Sequence, residues 1–374
     1  MGARMFLPNQ TEDHRLMIAT LERVMAAAGD VVTRRAGVSA DTPSRLTAWP
    51  ALLEAGAPAM AFGEAQGGCG GGPADIAAMQ MALARFLPVE PLLTAAVSCG
   101  RILAAAGAAG AIEAMLDGAM IPALAHTEGF DPWQPPRLAA TATATGWRLT
   151  GRKPAVRHGD VASHVLVTGR DALAGTVILL CPLTAPGIER TALRLIDGAG
   201  AADLVFIDTA LPASAALLQG AAADAAIHDA LDWTLAGLAV EAAALARAAT
   251  DATIAYLGIR EQFGRPLATF QALQHRAADM EIAATEAAAM AAAAITALDL
   301  PPKPDREQTI LAASLATDTA ARHCAHEAVQ LHGGMGVSDE LVVSHYLRRV
   351  AAIRGQAGTH DARAARLLEL EART

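Results

Sequence analysis

The sequence predicts an α+β chain in three parts: an all-helical N-terminal domain over 1–118, a middle β-domain over 119–222 and a C-terminal four-helix bundle over 223–374. Three observations predict it. Apolar residues recur at helical spacing early in the chain, as in Leu16, Ile18, Leu21 and Val24. Between about Met120 and Pro212, Thr, Val and Ile become frequent and alternation replaces the helical period. The last third is a series of long Ala-rich runs with short Gly/Pro breaks, which forces neighbouring helices to lie antiparallel.

Bulk composition narrows the classes. The 374 residues exceed one ordinary core and suit two or three domains. Hydrophobic residues make up 53% and aromatics only 3%, so the core must be built from Ala, Leu and Val, whose small side chains let helices approach closely. A net charge of −9 without a basic stripe argues against nucleic-acid binding, and an anionic ligand would need a local basic patch. Cys69, Cys99, Cys181 and Cys324 are far apart, without metal-binding or redox spacing, and read as free or buried thiols. Met1–Phe6 lacks a leader's apolar run and no apolar run of spanning length is uninterrupted, so the expectation is a cytoplasmic protein with no membrane contact.

In order, helices are expected over about 11–34, from Trp49-Pro50, over 74–86, 91–106 and 108–116. The stretch Gly63–Gly72 carries six glycines and reads as a flexible loop; with no Lys-Ser/Thr pair behind it, it is not a phosphate-cradling loop. Strands follow around 141–149, 164–168, 176–180 and 203–207. Bundle helices are expected over 227–263, 267–299, 305–331 and 339–353, with a tail helix after Thr359. The breaks are Gly264–Pro266, Pro301–Pro304 and Gly333–Gly336.

Two of these breaks carry dense motifs: Arg260-Glu-Gln-Phe-Gly-Arg-Pro-Leu267, followed by Phe270-Gln271, His275 and Asp279-Met280, and later Gln330-Leu-His-Gly-Gly-Met-Gly336. In order and spacing they resemble the acyl-CoA dehydrogenases, FAD-dependent flavoproteins, and the resemblance covers nearly the whole chain. It implies an acyl-CoA substrate, FAD, an electron-transfer flavoprotein or similar acceptor, and a tetramer. The family reaction removes an α-proton with a carboxylate while hydride leaves the β-carbon for the flavin. Carried over by position, the resemblance assigns cofactor contacts to Arg260, Gln262, Phe263, Phe270, Gln271, Gln330, Leu331, His332, Gly333 and Gly334. Arg260 would face the pyrophosphate, where a forked guanidinium suits paired oxygens. The plainer reading of Arg260 is a helix-end cation favoured by the dipole. His275 and Asp279 read as structural.

Other positions depart from the family pattern. Its Thr-Glu-Pro-Gly-x-Gly-Ser strand motif is reduced to Thr127-Glu128-Gly129. Where relatives have Lys-x-Trp-Ile-Thr-Asn, with Trp and Thr touching the flavin, this chain reads Lys153-Pro-Ala155-Val-Arg157-His158. The usual base of a Glu-Gly-Thr motif becomes Ala357, and the alternative base position on the first bundle helix is Thr234. Asp232 lies about 200° round the helix from Thr234, Glu241 reads as a packing residue, and Glu340 as a helix-start acid. The catalytic residue therefore stays unassigned. Together with Gln330–Leu341 and His345-Tyr-Leu-Arg-Arg349, these losses resemble the small subunits of two-gene acyl-CoA dehydrogenases such as the pimeloyl-CoA type, which complete an FAD site with a paralogous partner. A self-sufficient dehydrogenase or oxidase and a flavin-free scaffold remain open beside it.

Overall fold

The computed structural model of the chain describes residues 10–35 and 45–372; Met1–Phe6, read above for a leader, lie outside them. The N-terminal part is helical: α1 (Glu12–Ala27), α2 (Val31–Arg35), α3 (Trp49–Glu54), α4 (Pro73–Ala84), α5 (Gly100–Ala105) and α6 (Ala109–Leu116). Thr11 caps α1 through its hydroxyl, and the His14 ring spans from the Thr11 N–H to Asp75 Oδ1 at 3.0 Å. Asp75 in turn accepts from Gly72 N at 2.9 Å, so one carboxylate starts α4 and ties it to α1.

Two expectations in this region are corrected. The glycine-rich stretch is a packed turn. Gly68 N, Gly70 N and Gly71 N bond to Gly63 O, Phe62 O and Met60 O, and a Cβ on Gly68 would fall 1.9 Å from the Phe62 carbonyl oxygen. The glycines are there for close approach, not for flexibility. The helix expected over 91–106 begins as a π-helical segment, Leu92–Cys99, and becomes α-helical only at Gly100. Ser98 Oγ bonds to Leu93 O and meets Thr234 Oγ1 at 2.7 Å, a widened turn paid back by a partner far along the chain.

The middle part is an eight-stranded sheet: β1 (Pro122–Ala125), β2 (Ala139–Thr143), β3 (Gly146–Arg157), β4 (His164–Asp171), β5 (Gly175–Pro182), β6 (Ile188–Arg194), β7 (Gly200–Pro212) and β8 (Ala216–Gln219). The order is β6-β7-β3-β2-β4-β5-β8, with β1 parallel to β4. Side chains alternate as the sequence predicts: Val165, Val167, Val177 and Leu179 fill the sheet's own core, while Leu166 and Ile178 join the helical core behind it. The β3–β7 register shifts between Lys153 and Val156, and Ala155 and His158 adopt φ of +45° and +60°. That bulge turns Arg157 and His158 toward the helices.

Next to the bulge, fully buried Lys153 donates to His126 O (2.8 Å), Glu128 Oε1 (2.6 Å) and Thr168 Oγ1 (3.2 Å); burial pushes its ammonium down to about 8. Glu128 also accepts from Arg137 N and Leu138 N, which shapes the 127–137 loop. The His126 ring donates through Nε2 to Pro132 O at 2.7 Å and pairs through Nδ1 with Thr168 Oγ1.

The C-terminal part is the expected bundle: α7 (Gly220–Ile259), the hairpin β9 (Glu261–Gln262) and β10 (Arg265–Pro266), α8 (Gln271–Ala297), α9 (Pro304–His332), α10 (Val342–Gln356) and the tail α11 (His360–Glu371). α7 starts earlier and stops earlier than the sequence suggests. Its expected end at 263 fails because Phe263 and Gly264 take φ of +55° and +77°, the geometry of a tight hairpin turn. Leu267 N closes the hairpin onto Arg260 O at 2.8 Å. Ala287, Ala291 and Ala294 line one buried face of α8, and Thr250, Thr253 and Thr317 satisfy their buried hydroxyls on the preceding helical turn. α8 is long and apolar enough to cross a membrane by composition, yet it packs between α7 and α9.

Burial holds His126 neutral, lowering its pKa from 6.5 to about 4 despite the Pro132 carbonyl. The folded state then binds fewer protons than the unfolded chain through this window, so its stability is full above about 6.5 and is lost as pH falls toward 4. His126→Gln keeps a donor for Pro132 O; in urea melts across this range its stability should fall less steeply, by about 1.4 kcal/mol per pH unit at most.

Candidate functional site

The two motif breaks meet at one end of the bundle. Tyr256, in the last turn of α7, stacks on His332, the last residue of α9, with ring centroids 4.2 Å apart. Arg260, Gln262, Phe263, Gln271, Gln330, Gly333 and Gly334 are exposed on this corner, and Phe270 is half-buried. The Arg265 guanidinium lies 4.0 Å from the Phe270 ring centroid, and Phe263 meets that ring edge-on at 6.1 Å. Arg260 makes no ion pair among the described residues, so its guanidinium is available to an external anion. A Cβ at Gly333 or Gly334 would meet nothing within 4 Å, leaving that backbone open to a ligand.

Two of the expected contacts, Leu331 and His332, are assigned through the backbone, and their side chains point inward. Leu331 and His332 are buried, and the His332 ring is occupied by Tyr256 and by the Ala328 carbonyl at 2.7 Å. They support the corner from beneath instead of presenting side chains on it. His275 and Asp279, read as structural, are exposed. Sequence reading missed Arg265 and Tyr256; an Arg five residues before Phe270 was the only available hint of the first.

The interior positions converge on a second place. Arg157 of β3, Glu241 of α7, and Arg349 and Gln356 of α10 line one cavity with Thr94 and His158. Its volume is about 30 Å³, room for about one water. Arg349 grips Glu241 through two bonds, Nε to Oε1 at 2.6 Å and Nη2 to Oε2 at 2.7 Å. Its third nitrogen donates to Asp197 Oδ2 (2.7 Å) and to Gln356 Oε1 (3.2 Å), and Arg157 Nη2 reaches the same Asp197 oxygen at 2.7 Å. Glu241 is thus an ion-pair partner, matching its reading as a packing residue.

Burial alone would raise the Asp197 carboxyl, but Arg157 and Arg349 outweigh it and hold it well below the usual range. Burial likewise opposes the charge on Arg349, and Glu241 with Asp197 more than restores it. His158 stays neutral because burial, then the Arg157 charge, disfavours its protonation. Its Nδ1 sits 3.1 Å from Thr94 Oγ1.

The two positions expected for a base carry none. Ala357 is buried, and beside it Gly358 (φ +88°) lies under Pro132 and Trp133 of the 127–137 loop, with Thr359 N bonded to Phe130 O. Thr234 is buried and shared between Ser98 and the Ala230 carbonyl. Asp232 points instead to Arg306 at 2.9 Å, where burial, only partly offset by Arg306, pushes it up to about 7. Ala155 lies exposed on the bulge.

Helical domain, mixed sheet and bundle, with a guanidinium corner at the bundle's end, define a class that comparison identifies. Residues 225–369 match the family model for the acyl-CoA dehydrogenase C-terminal domain. The acyl-CoA dehydrogenase FadE27 of Mycobacterium tuberculosis is 30% identical over 311 residues, 80% of each chain. A variant of the Tcur3481-Tcur3483 steroid acyl-CoA dehydrogenase superposes with a TM-score of 0.85 at 26% identity, covering 97% of this chain and 98% of that one. A glutaryl-CoA dehydrogenase from Mycobacterium smegmatis in complex with FADH2 shares the fold, with a TM-score of 0.85, 20% identity, and 98% and 96% coverage. The chain belongs to the acyl-CoA dehydrogenase family.

Relatives bind FAD, and this chain fits it unevenly. The corner suits a dinucleotide's phosphates: a free guanidinium, three exposed amide side chains and an open glycine backbone. The interior does not suit the flavin ring, because charged side chains fill the cavity.

Truncating Arg349→Ala would strand buried Glu241 and part of Asp197, and should cost about 3–5 kcal/mol in denaturant melts. Arg349→Lys should recover little of it, since an ammonium cannot span both Glu241 oxygens and Asp197.

Proposed function

We propose that this chain is the subunit of a heterotetrameric, FAD-dependent acyl-CoA dehydrogenase that completes the FAD site without supplying the base. One observation carries this reading: neither base position holds an acid, and the carboxylates around the crevice are already engaged. Glu241 and Asp197 are held by arginines, and Glu90 accepts from Ala48 N at 2.9 Å and Val89 N at 3.0 Å. An unplaced carboxylate in this crevice, as a self-sufficient enzyme would need, therefore lacks support.

In this reading the chain's own part is binding. Arg260 pairs with the pyrophosphate, Gln262, Gln271 and Gln330 offer amides, and Gly333-Gly334 admits the nucleotide to the backbone. Tyr256 and His332 brace the glycine turn, and Arg265 fixes Phe270. When bound, the flavin supplies the hydride acceptor; a paralogous chain would supply the carboxylate and the acyl pocket. The likeness to the Tcur3481-Tcur3483 steroid enzyme supports a steroid or other lipid acyl-CoA as the substrate class. An electron-transfer flavoprotein or similar carrier would reoxidise the assembly.

The test is reconstitution with a paralogue carrying the Glu-Gly-Thr acid. Dehydrogenation should appear only on mixing; activity of this chain alone would favour a self-sufficient enzyme, and a colourless mixture a flavin-free scaffold. Within the assembly, Arg260→Ala should lower bound FAD at least about tenfold, the scale of a lost charged phosphate contact, read as flavin absorbance per protein. Full flavin content in that variant would refute the assignment.

A further inference from the structure

The crevice is closed by this chain's own side chains, and the closure has a definite construction. Arg157, Asp197, Arg349 and Glu241 come from β3, the turn between β6 and β7, α10 and α7, so they join sheet to bundle across the cavity. The four are two cations and two anions, and Glu90 adds a further carboxylate to the lining, so the cavity offers no net positive charge to a phosphate. About 30 Å³ remains inside, whereas a pocket for a small ligand needs about 300 Å³ or more. Pro132 and Trp133 cover the Ala357-Gly358 segment from the other side: a single added Cβ at Gly358 would come within 2.9 Å of Pro132 and 3.0 Å of Trp133. Side-chain rotation cannot open this space without leaving buried charges unpaired, and sheet and bundle would have to separate.

We infer that this four-charge cluster, with the Pro132-Trp133 cover, bars both an acyl thioester and a flavin ring from this chain's own crevice, and so determines which crevice of an assembly takes the substrate. The inference rests on the family assignment of the 157, 234 and 357 positions to the reacting centre, and it holds whether or not the corner binds a partner's FAD. Arg157 and Arg349 are specificity determinants in this sense; they are not catalytic residues.

Hydrogen–deuterium exchange separates the two readings. The full chain, alone and assembled with its paralogue, is mixed with FAD and octanoyl-CoA at millimolar concentration. Segments 92–99 and 156–159 carry the crevice-lining residues Leu92, Leu93, Thr94, Arg157 and His158; segments 260–271 and 330–336 form the corner. Closure expects the crevice amides to change by less than about twofold in both samples, while ligand entry would slow them about tenfold or more. A silent crevice with a protected corner upholds closure and the shared FAD site together. A silent crevice with a silent corner in the assembly upholds closure and sinks the shared site. Protection of both crevice segments overturns closure whatever the corner does.

Discussion

The contact between Arg349 and the paired carboxylates of Glu241 and Asp197 is the constraint on which the rest of the structure depends. One guanidinium spends all three nitrogens inside the protein, two on a helix of the bundle and one on a turn of the sheet. It ties the β-domain to α7 and α10. Because Arg157 joins it from the bulged strand, the irregular register of β3 becomes part of the same fixture. Buried ion pairs are weak sources of stability but hard to disturb one partner at a time. A junction built this way resists sliding, and it occupies space that a ligand would otherwise use.

Elsewhere the framework relies on small residues. Gly237 lies where a Cβ would come 2.7 Å from Leu93 Cδ1, so the glycine in the middle of α7 admits the π-helical segment and brings Ser98 to Thr234. The Ala faces of α8 and α9 serve the same end, trading side-chain area for close backbone approach. The helices can then be long while aromatics are few.

Much of this was legible in the chain. Helical period, strand alternation and Gly/Pro breaks are local signals, and they located the three parts and the bundle helices. The motif from Arg260 to Gln271 could be placed at a bundle end because proline and glycine interrupt an otherwise unbroken helix. What was missed depends on distant partners or on rare backbone states. Nothing local in Phe263 shows that it adopts a positive φ, so residues 261–263 were read as the end of the helix, although the Gly264–Pro266 turn was placed. The π-turn at Leu92–Cys99 exists for a hydroxyl on α7, and Asp197 sits in an unremarkable turn until Arg157 and Arg349 arrive from either side. Ala357 and Thr234 were legible as losses; what filled the room they left was not.

The tip of the hairpin has a consequence for how the polypeptide behaves before it meets anything. Phe263 is 90% exposed, Ile259 81% and Val337 70%, all at the bundle end beside Arg260. Greasy side chains held out by a rigid turn gain free energy from any cover, at roughly 25 cal/mol per Å² removed from water. Left uncovered, such molecules would tend to meet one another tip first, which makes this end the place where self-association would begin.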